Sequence, residues 1–361
     1  MVLIKANLQG GSSMKKKIII FLGIVLAGII FLVLKTMKDS GEFKKLKPHS
    51  NYTCVKVPNV PGPEDIAIDN ATATAFISTF NRRAYMKGKV LQGAIFAYNL
   101  KGKPRLRNLT ANLKIKFYPL GISLYTAPDG LKLLFVINRL PGSHVVEIFQ
   151  YRGGALHHRE TVTGELFISL NDLAAVGPRQ FYITNDHGSR TALGKKIEDY
   201  CKLSRATVVY YDGKSMRTVA DKLSYANGIW ADNDGKHLYV TATTGKRFYV
   251  YKRKPDGSLE PEHELDLGAG PDNISVDEDG TIRVACHTRM LTLVKHMSDE
   301  KRKAPSQIVE VFPEGKGGFS YKEIYMNLGE EISAASVAAA YRKRLIMGAI
   351  FENYFLDCTM K

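Results

Sequence analysis

Six short stretches of this chain share one pattern, and in most of them an acid or an amide stands at the same place. They cover residues 63–68, 120–124, 171–176, 227–231, 272–276 and 334–338. Successive copies start roughly 45 to 65 residues apart, a spacing typical of repeat architectures. Most are followed by a turn signal and a second apolar run, as where Asp232-Asn233-Asp234-Gly235-Lys236 precedes Leu238-Tyr239-Val240. Short strands and Gly/Asp turns at that period predict an all-β fold, a six-bladed β-propeller. The polar residue then opens the innermost strand of each blade and points into the central channel.

Five such residues supply side-chain oxygens from four blades: Glu64, Asn171, Asn227, Asp272 and Asn273. Two carboxylates with three amides suit a hard cation of irregular, high coordination, and they serve soft or nitrogen-seeking metals poorly. Asp65, Asp172 and the Ile122 carbonyl offer a second site deeper in the channel, so the expected complement is two calcium ions. Any one of these residues alone would be a strand-end group satisfying the backbone. Their matched positions in neighbouring blades argue for an ion.

The formal charge of +16 (51 Lys and Arg against 35 Asp and Glu) invites a nucleic-acid or membrane-surface reading. The basic residues are spread along the chain, however, and no aromatic-basic motif of a nucleic-acid module is present, so nucleic acid is not an expected partner. The densest run, 295–303, contains Asp299 and Glu300 and reads as a solvated loop.

Lys15-Lys16-Lys17 precede an uninterrupted apolar run from Ile18 to Leu34. The run is at the short end of what spans a bilayer as a helix. A cleaved signal peptide would have a shorter core and a small-x-small site, which is not found, so a signal anchor is expected. Basic residues flank the run on both sides and leave orientation open. The cysteines and sequons decide it. Cys54 precedes the first repeat and Cys358 follows the last, and a propeller's terminal strands meet in one closing blade, so these thiols should bridge. Cys201 and Cys286 remain as free, partly buried thiols. Asn51, Asn70 and Asn108 head glycosylation sequons, whereas Asn273, in an inner strand, should stay unmodified. These features place the propeller on the lumenal or extracellular side, as a single-pass type II protein of the endoplasmic reticulum, the plasma membrane or both. The expected organisation is a cytoplasmic tail over 1–17, a membrane span over 18–35, a stalk over 36–50 and the propeller over 51–361. Between 191 and 203, Leu193, Ile197, Tyr200 and Cys201 fall at helical spacing, which predicts a lid helix packed on the ligand-bearing rim.

The stretches Gly62-Pro63-Glu64-Asp65, Leu170-Asn171-Asp172, Thr184-Asn185-Asp186-His187, Ala226-Asn227-Gly228-Ile229, Pro271 to Asp277 and Cys286-His287 resemble the serum paraoxonase/arylesterase family. The resemblance runs from about Tyr52 to Cys358. It implies a catalytic calcium on Glu64, Asn171, Asn227, Asp272 and Asn273, and a structural calcium on Asp65, Asp172 and Ile122. It also supplies a counterpart for the terminal disulfide. Family enzymes carry a histidine dyad above the catalytic calcium. The matching positions here are Leu120 and Arg139, and neither side chain can accept a proton at physiological pH. Asp272, His287 and His187 are the candidate replacement bases. Arg139 itself reads either as a surface arginine or as a fixed cation that draws an acidic ligand into the pocket. Two functions follow. One is a weakly catalytic or non-catalytic accessory protein, similar to nematode paraoxonase-like proteins that assist degenerin/epithelial sodium channels, with channel subunits or other membrane proteins as partners. The other is a calcium-dependent arylesterase or lactonase acting on a small ester or lactone with a rearranged base.

Overall fold

The computed structural model describes residues 7–232, 234–314 and 318–361. Residues 1–6 of the expected tail and Asn233 of the expected turn lie outside them. Six antiparallel sheets form the blades. Blade 1 holds Pro63–Asp69, Thr74–Thr79, Ala94–Asn99 and Leu106–Asn108, and blade 2 holds Pro119–Thr126, Lys132–Leu140, Ser143–Arg152 and Ala155–Val162. Blade 3 holds Leu170–Ala175, Phe181–Asn185, Ala206–Tyr211 and Met216–Leu223, and blade 4 holds Ala226–Ala231, His237–Ala242, Arg247–Arg253 and Leu259–Asp266. Blade 5 runs Gly270–Val276, Ile282–His287, Ser306–Pro313 and Phe319–Asn327. Blade 6 takes Ala335–Tyr341, Arg344–Ala349 and Tyr354–Met360 from the C-terminus and Tyr52–Pro58 from the N-terminal side. Each inner strand touches the next, and that of blade 6 returns to that of blade 1, so the ring closes.

Local chemistry explains the blades. Tight turns such as Asp129-Gly130 and Asp279-Gly280 put glycine at φ +85° and +84°, where a Cβ would be strained. The aspartate of each accepts a hydrogen bond from the amide two residues on. Apolar burial falls between blades. Phe135, Val146, Leu173 and Phe181 pack blade 2 on blade 3, for example, and an equivalent cluster fills each of the other five junctions. No single blade could bury such a face alone, which is why the ring folds as one body.

All six inner strands break register at the same place: at Pro63/Asp65, Pro119/Ile122, Leu170/Leu173, Ala226/Ile229, Pro271/Ile274 and Ala335/Val337. A β-bulge re-aims the side chains it carries. The bulged positions are those of the sequence repeat: polar side chains in five blades, and Leu120-Gly121 in blade 2. The repeat is therefore a conserved spacing of bulges around the channel as well as of strands within this one chain.

Cys54 and Cys358 are bonded, and they are directly paired across the two outer strands of blade 6. The bridge closes a separation of 304 residues. In the chain-entropy account such a loop contributes ~5–6 kcal/mol. Reduction, or Cys54→Ser with Cys358→Ser, should lower the thermal midpoint sharply, and an unchanged melt would show that strand pairing alone holds the ring shut. Of the other two cysteines, Cys201 is exposed and Cys286 is fully buried, so neither is the partly buried thiol expected.

The first helix, α1 (Asn7–Asp39), includes Met14–Asp39, which contains an 18-residue window of mean hydropathy 3.0 and is long and apolar enough to cross a bilayer. The stretch expected as a stalk continues this helix to Asp39 and is then seated on the propeller. The Ser40 carbonyl accepts from Met290 N at 2.9 Å, Glu42 accepts from the Thr292 amide and hydroxyl at 3.0 and 2.7 Å, and Lys44 Nζ donates to Gly268 O at 2.7 Å. His49–Ser50 then adds a fifth strand to blade 5. Three short helices, α2 (Arg82–Met86), α3 (Ala192–Cys201) and α4 (Met290–Ser298), rise from the rim. The run expected as a solvated loop from 295 thus begins inside α4.

The α3 helix lies where the spacing placed it, but its buried face is the opposite one. Leu193, Ile197 and Tyr200 are exposed, and Glu198 is buried. The reason is local: the Gly188 amide needs an acceptor and finds Glu198 Oε2 at 2.9 Å, while Lys195 and Asp199 reach inward to Ser169 and His187. Among the sequons, Asn51 and Asn108 are exposed and Asn70 is part-buried in a turn, whereas Asn273 is 1 % exposed.

Candidate functional site

The bulges carry Glu64, Asn171, Asn227, Asp272 and Asn273 to the hub, all buried. Their amide nitrogens are tied to protein groups. Asn227 Nδ2 donates to Thr243 Oγ1 at 2.9 Å, Asn171 Nδ2 to Asp186 Oδ2 at 3.3 Å, and Asn273 Nδ2 to Glu64 Oε1 and the Glu64 carbonyl at 3.0 and 3.1 Å. That fixes each amide with its oxygen turned the other way. Glu64 Oε2 and the Oδ1 atoms of Asn171, Asn227 and Asn273 are buried without a hydrogen-bond partner. Such orphans cost about 1–3 kcal/mol each. Four acceptors and no donor are a fit for a hard cation. Asp272 Oδ2 accepts instead from His287 Nε2 at 2.8 Å.

Burial pushes the Glu64 carboxyl up to about 8, although Arg82 opposes the shift. Arg82 does not quench the site. Its nearest approach to Glu64 Oε2 is 4.0 Å, and its donors go to the carbonyls of Gly62, Phe80 and Pro119 at 3.2, 3.4 and 3.3 Å.

Asp65 and Asp172 lie one residue further along their bulges. Asp65 accepts from Ile66 N at 2.8 Å and Ile122 N at 2.7 Å; Asp172 accepts from Leu173 N at 2.7 Å and Ile229 N at 2.9 Å. Each carboxylate thus clips its own blade to the next. Burial nevertheless pushes Asp65 up to about 7 and Asp172 well above the carboxylate range. Close approach is possible because Gly121 and Gly228 sit in the intervening bulges. A Cβ at Gly121 would meet Asp172 Oδ1 at 2.5 Å, and one at Gly228 would meet the Asp272 carbonyl at 2.6 Å.

Beside the hub, with Arg82 between them, lies a cavity of about 560 Å³, walled by α2, by the Tyr118–Leu120 and Arg139–Gly142 segments of blade 2 and by residues of α3 and α4; the five hub residues are not part of its lining. Leu120 and Arg139 both line it. Arg139 is only partly a surface residue: its side chain is 30 % exposed and approaches Asp186 Oδ2 at 3.5 Å and Ser169 Oγ at 3.4 Å. None of the three candidate bases lines the cavity. His187 bonds Asp186 at 2.6 Å and Asp199 at 3.0 Å. Burial works against its charge, but the two carboxylates win and hold it up to about 9, as a cation. His287 and Asp272 face each other. The histidine that does line the cavity is His144, which the sequence reading did not single out. Burial, Arg139 and Lys195 push it down to about 4. Its Nδ1 accepts from Leu170 N at 2.9 Å, so the neutral ring keeps its proton on Nε2 and presents a donor. Arg82, Lys195, Ser169 and Asp186 were also missed as site residues. Asp186 alone had a signal, inside the Thr184–His187 stretch.

A separate cluster, Asp232, Asp234 and His237, stands at the first hairpin of blade 4, away from the hub, and has the spacing of a metal site. It is exposed or half-buried, and His237 already holds Asp232 at 2.9 Å.

A six-bladed propeller with orphaned oxygens at the hub and a cavity beside them defines a class of propellers able to hold a cation at the centre. Within that class the chain belongs to the arylesterase family, whose model matches residues 82–360. It is 30% identical over 349 residues to serum paraoxonase/arylesterase 1 of Rattus norvegicus, covering 92% of this chain and 97% of that one. It is 30% identical over 347 residues to serum paraoxonase/arylesterase 2 of the same species, covering 92% and 95%. Among solved structures, a luciferin-regenerating enzyme superposes with a TM-score of 0.54 at 13% identity, over 85% of this chain and 95% of that chain. A putative gluconolactonase does so with a TM-score of 0.54 at 13% identity, over 86% and 92%. These two likenesses bear on the fold alone.

Proposed function

We propose that this protein is a type II membrane-anchored member of the paraoxonase family that binds two calcium ions and serves as an accessory or chaperone for membrane proteins, degenerin/epithelial sodium channel subunits among them. The observation that carries the reading is the pairing of a ligand-ready hub with a neighbouring cavity that, among the described residues, is lined by no free proton acceptor. Glu64, Asn171, Asn227, Asp272 and Asn273 would hold one ion, and Asp65, Asp172 and the Ile122 carbonyl the other. Bound calcium would supply charge to polarise a carbonyl oxygen. The residues beside it do not complete a hydrolase. Leu120 is apolar, Arg139 is a permanent cation, His187 is a cation and His144 is a donor. Losing a general base costs about 10²–10⁴ in rate. The terminal disulfide supports a propeller in an oxidising compartment, and α1 supports a single-pass anchor. The test is the surface density of co-expressed channel subunits, with and without this protein. A rise that disappears in Glu64→Gln supports the accessory role, and no change in subunit assembly or delivery overturns it.

The orphaned oxygens favour a second reading, a slow arylesterase or lactonase, because a purely structural ion would need only the deeper site. Phenyl acetate and a lactone series decide between them. Turnover by the full chain well above that of Glu64→Gln would establish the enzyme.

A further inference from the structure

The cavity carries a charge that the hub does not require. Arg82, Arg139, Arg190 and Lys195 line it, and no carboxylate does among the described residues. Two of these cations are committed elsewhere. Arg82 serves three carbonyls, as above, and Arg190 donates to Phe167 O at 2.9 Å and Glu165 O at 2.7 Å. Arg139 and Lys195 instead converge on one buried acid. Lys195 Nζ donates to Ser169 Oγ at 2.6 Å, Ser169 Oγ donates to Asp186 Oδ1, and Arg139 reaches both Ser169 and Asp186 at long range. His187, itself a cation, holds the same Asp186 and shares Asp199. Three carboxylates, Asp186, Glu198 and Asp199, surround these three cations, but none of them lines the cavity, whereas Arg139 and Lys195 do. Arg139 keeps donors free, since its two contacts use few of its five N–H groups at marginal distances. A cleft whose wall presents cations and no carboxylate draws an anion. A planar guanidinium fork matches a carboxylate.

The remaining wall is of another character. Leu120, Leu140, Tyr85, Tyr118, Met297 and Phe351 make it apolar and aromatic. The volume of about 560 Å³ lies within the range of small-molecule sites, roughly 300–1,000 Å³. We infer that this cavity binds an organic monocarboxylate with an aryl or alkyl body, its carboxylate held by Arg139 and Lys195 and its body laid against the Leu120 wall. The inference goes beyond the accessory role and is independent of it, because it concerns ligand binding and not a client protein.

The experiment compares 2-naphthoate with its neutral isostere 2-naphthamide. Binding is followed by calorimetry on the full chain in lipid nanodiscs with calcium, with empty nanodiscs as the blank. The acid should bind at least about tenfold more tightly than the amide, since a charge-assisted bond is lost in the latter. Arg139→Gln and Lys195→Gln should each weaken the acid roughly 10- to 100-fold while leaving binding of the amide unchanged. If Arg139→Gln fails to fold because Asp186 loses a partner, Lys195→Gln on α3 carries the test. Equal binding of acid and amide, no binding of either, or acid binding that survives the folded variants would overturn the inference.

Discussion

Replacing Leu120 and Arg139 together by histidine should raise calcium-dependent hydrolysis of phenyl acetate by about 10²–10⁴ over the parent protein. Both positions line the cavity beside the hub, so histidines there would face whatever the cavity holds. The fold should tolerate the exchange. Leu120 occupies a bulge of blade 2 and is a buried member of the cluster that holds Phe135 and Phe181, but it also faces the cavity, where a histidine ring has room, so the exchange should cost only part of that packing. Removing the Arg139 charge leaves Asp186 with His187 and Ser169 as partners. Each single variant should gain far less, because a base and the group that orients it act as a unit. A double variant that folds and binds calcium but hydrolyses no faster would show that the missing dyad is not what limits this protein.

Removing calcium should destabilise the propeller strongly and change how its stability depends on pH. An ion held at ~1,000 times its Kd stabilises by about 4 kcal/mol, which for a domain of this size is roughly 6–8 °C in the thermal midpoint. Chelation should cost at least that. Without the ion, burial raises Glu64 to about 8 and Asp65 to about 7. A carboxyl that holds its proton more tightly when folded adds stability below its unfolded value, and that stability is lost as pH rises through the folded value. The chelated protein should therefore weaken between about pH 4 and pH 8. With calcium present these groups are ionised in the folded state, and the slope should flatten. Thermal melts at several pH values, with and without chelator, measure both effects. Superimposed curves would contradict the account.

Much of the hub was legible in the sequence because its requirements recur. Every blade must open its inner strand at the channel, and the acids and amides at 64, 171, 227, 272 and 273 mark where. The bulges themselves left no separate signal, yet they explain why two consecutive residues, Asp272 and Asn273, both reach the interior. The clustering of cations around the cavity was not legible. Arg82, Lys195, Ser169 and Asp186 come from α2, from α3 and from the residues flanking the inner strands of blade 3, and only the closed ring brings them near Arg139. Helical spacing located α3 but misjudged its inward face. An amphipathic pattern reports which side could bury apolar area, whereas here a backbone amide and a charged network needed Glu198, Asp199 and Lys195 more. The fifth strand at His49–Ser50 is too short to leave a period.

The most direct measurement is a calcium titration of the full chain against its Glu64→Gln and Asn227→Ala variants, read by calorimetry with metal content checked by elemental analysis. Two bound ions in the parent protein, with one lost or weakened at least tenfold in each variant, is the expected result. A parent protein that takes up no calcium, or variants that bind it as the parent does, would contradict the claim that the orphaned oxygens of the bulges form a metal site.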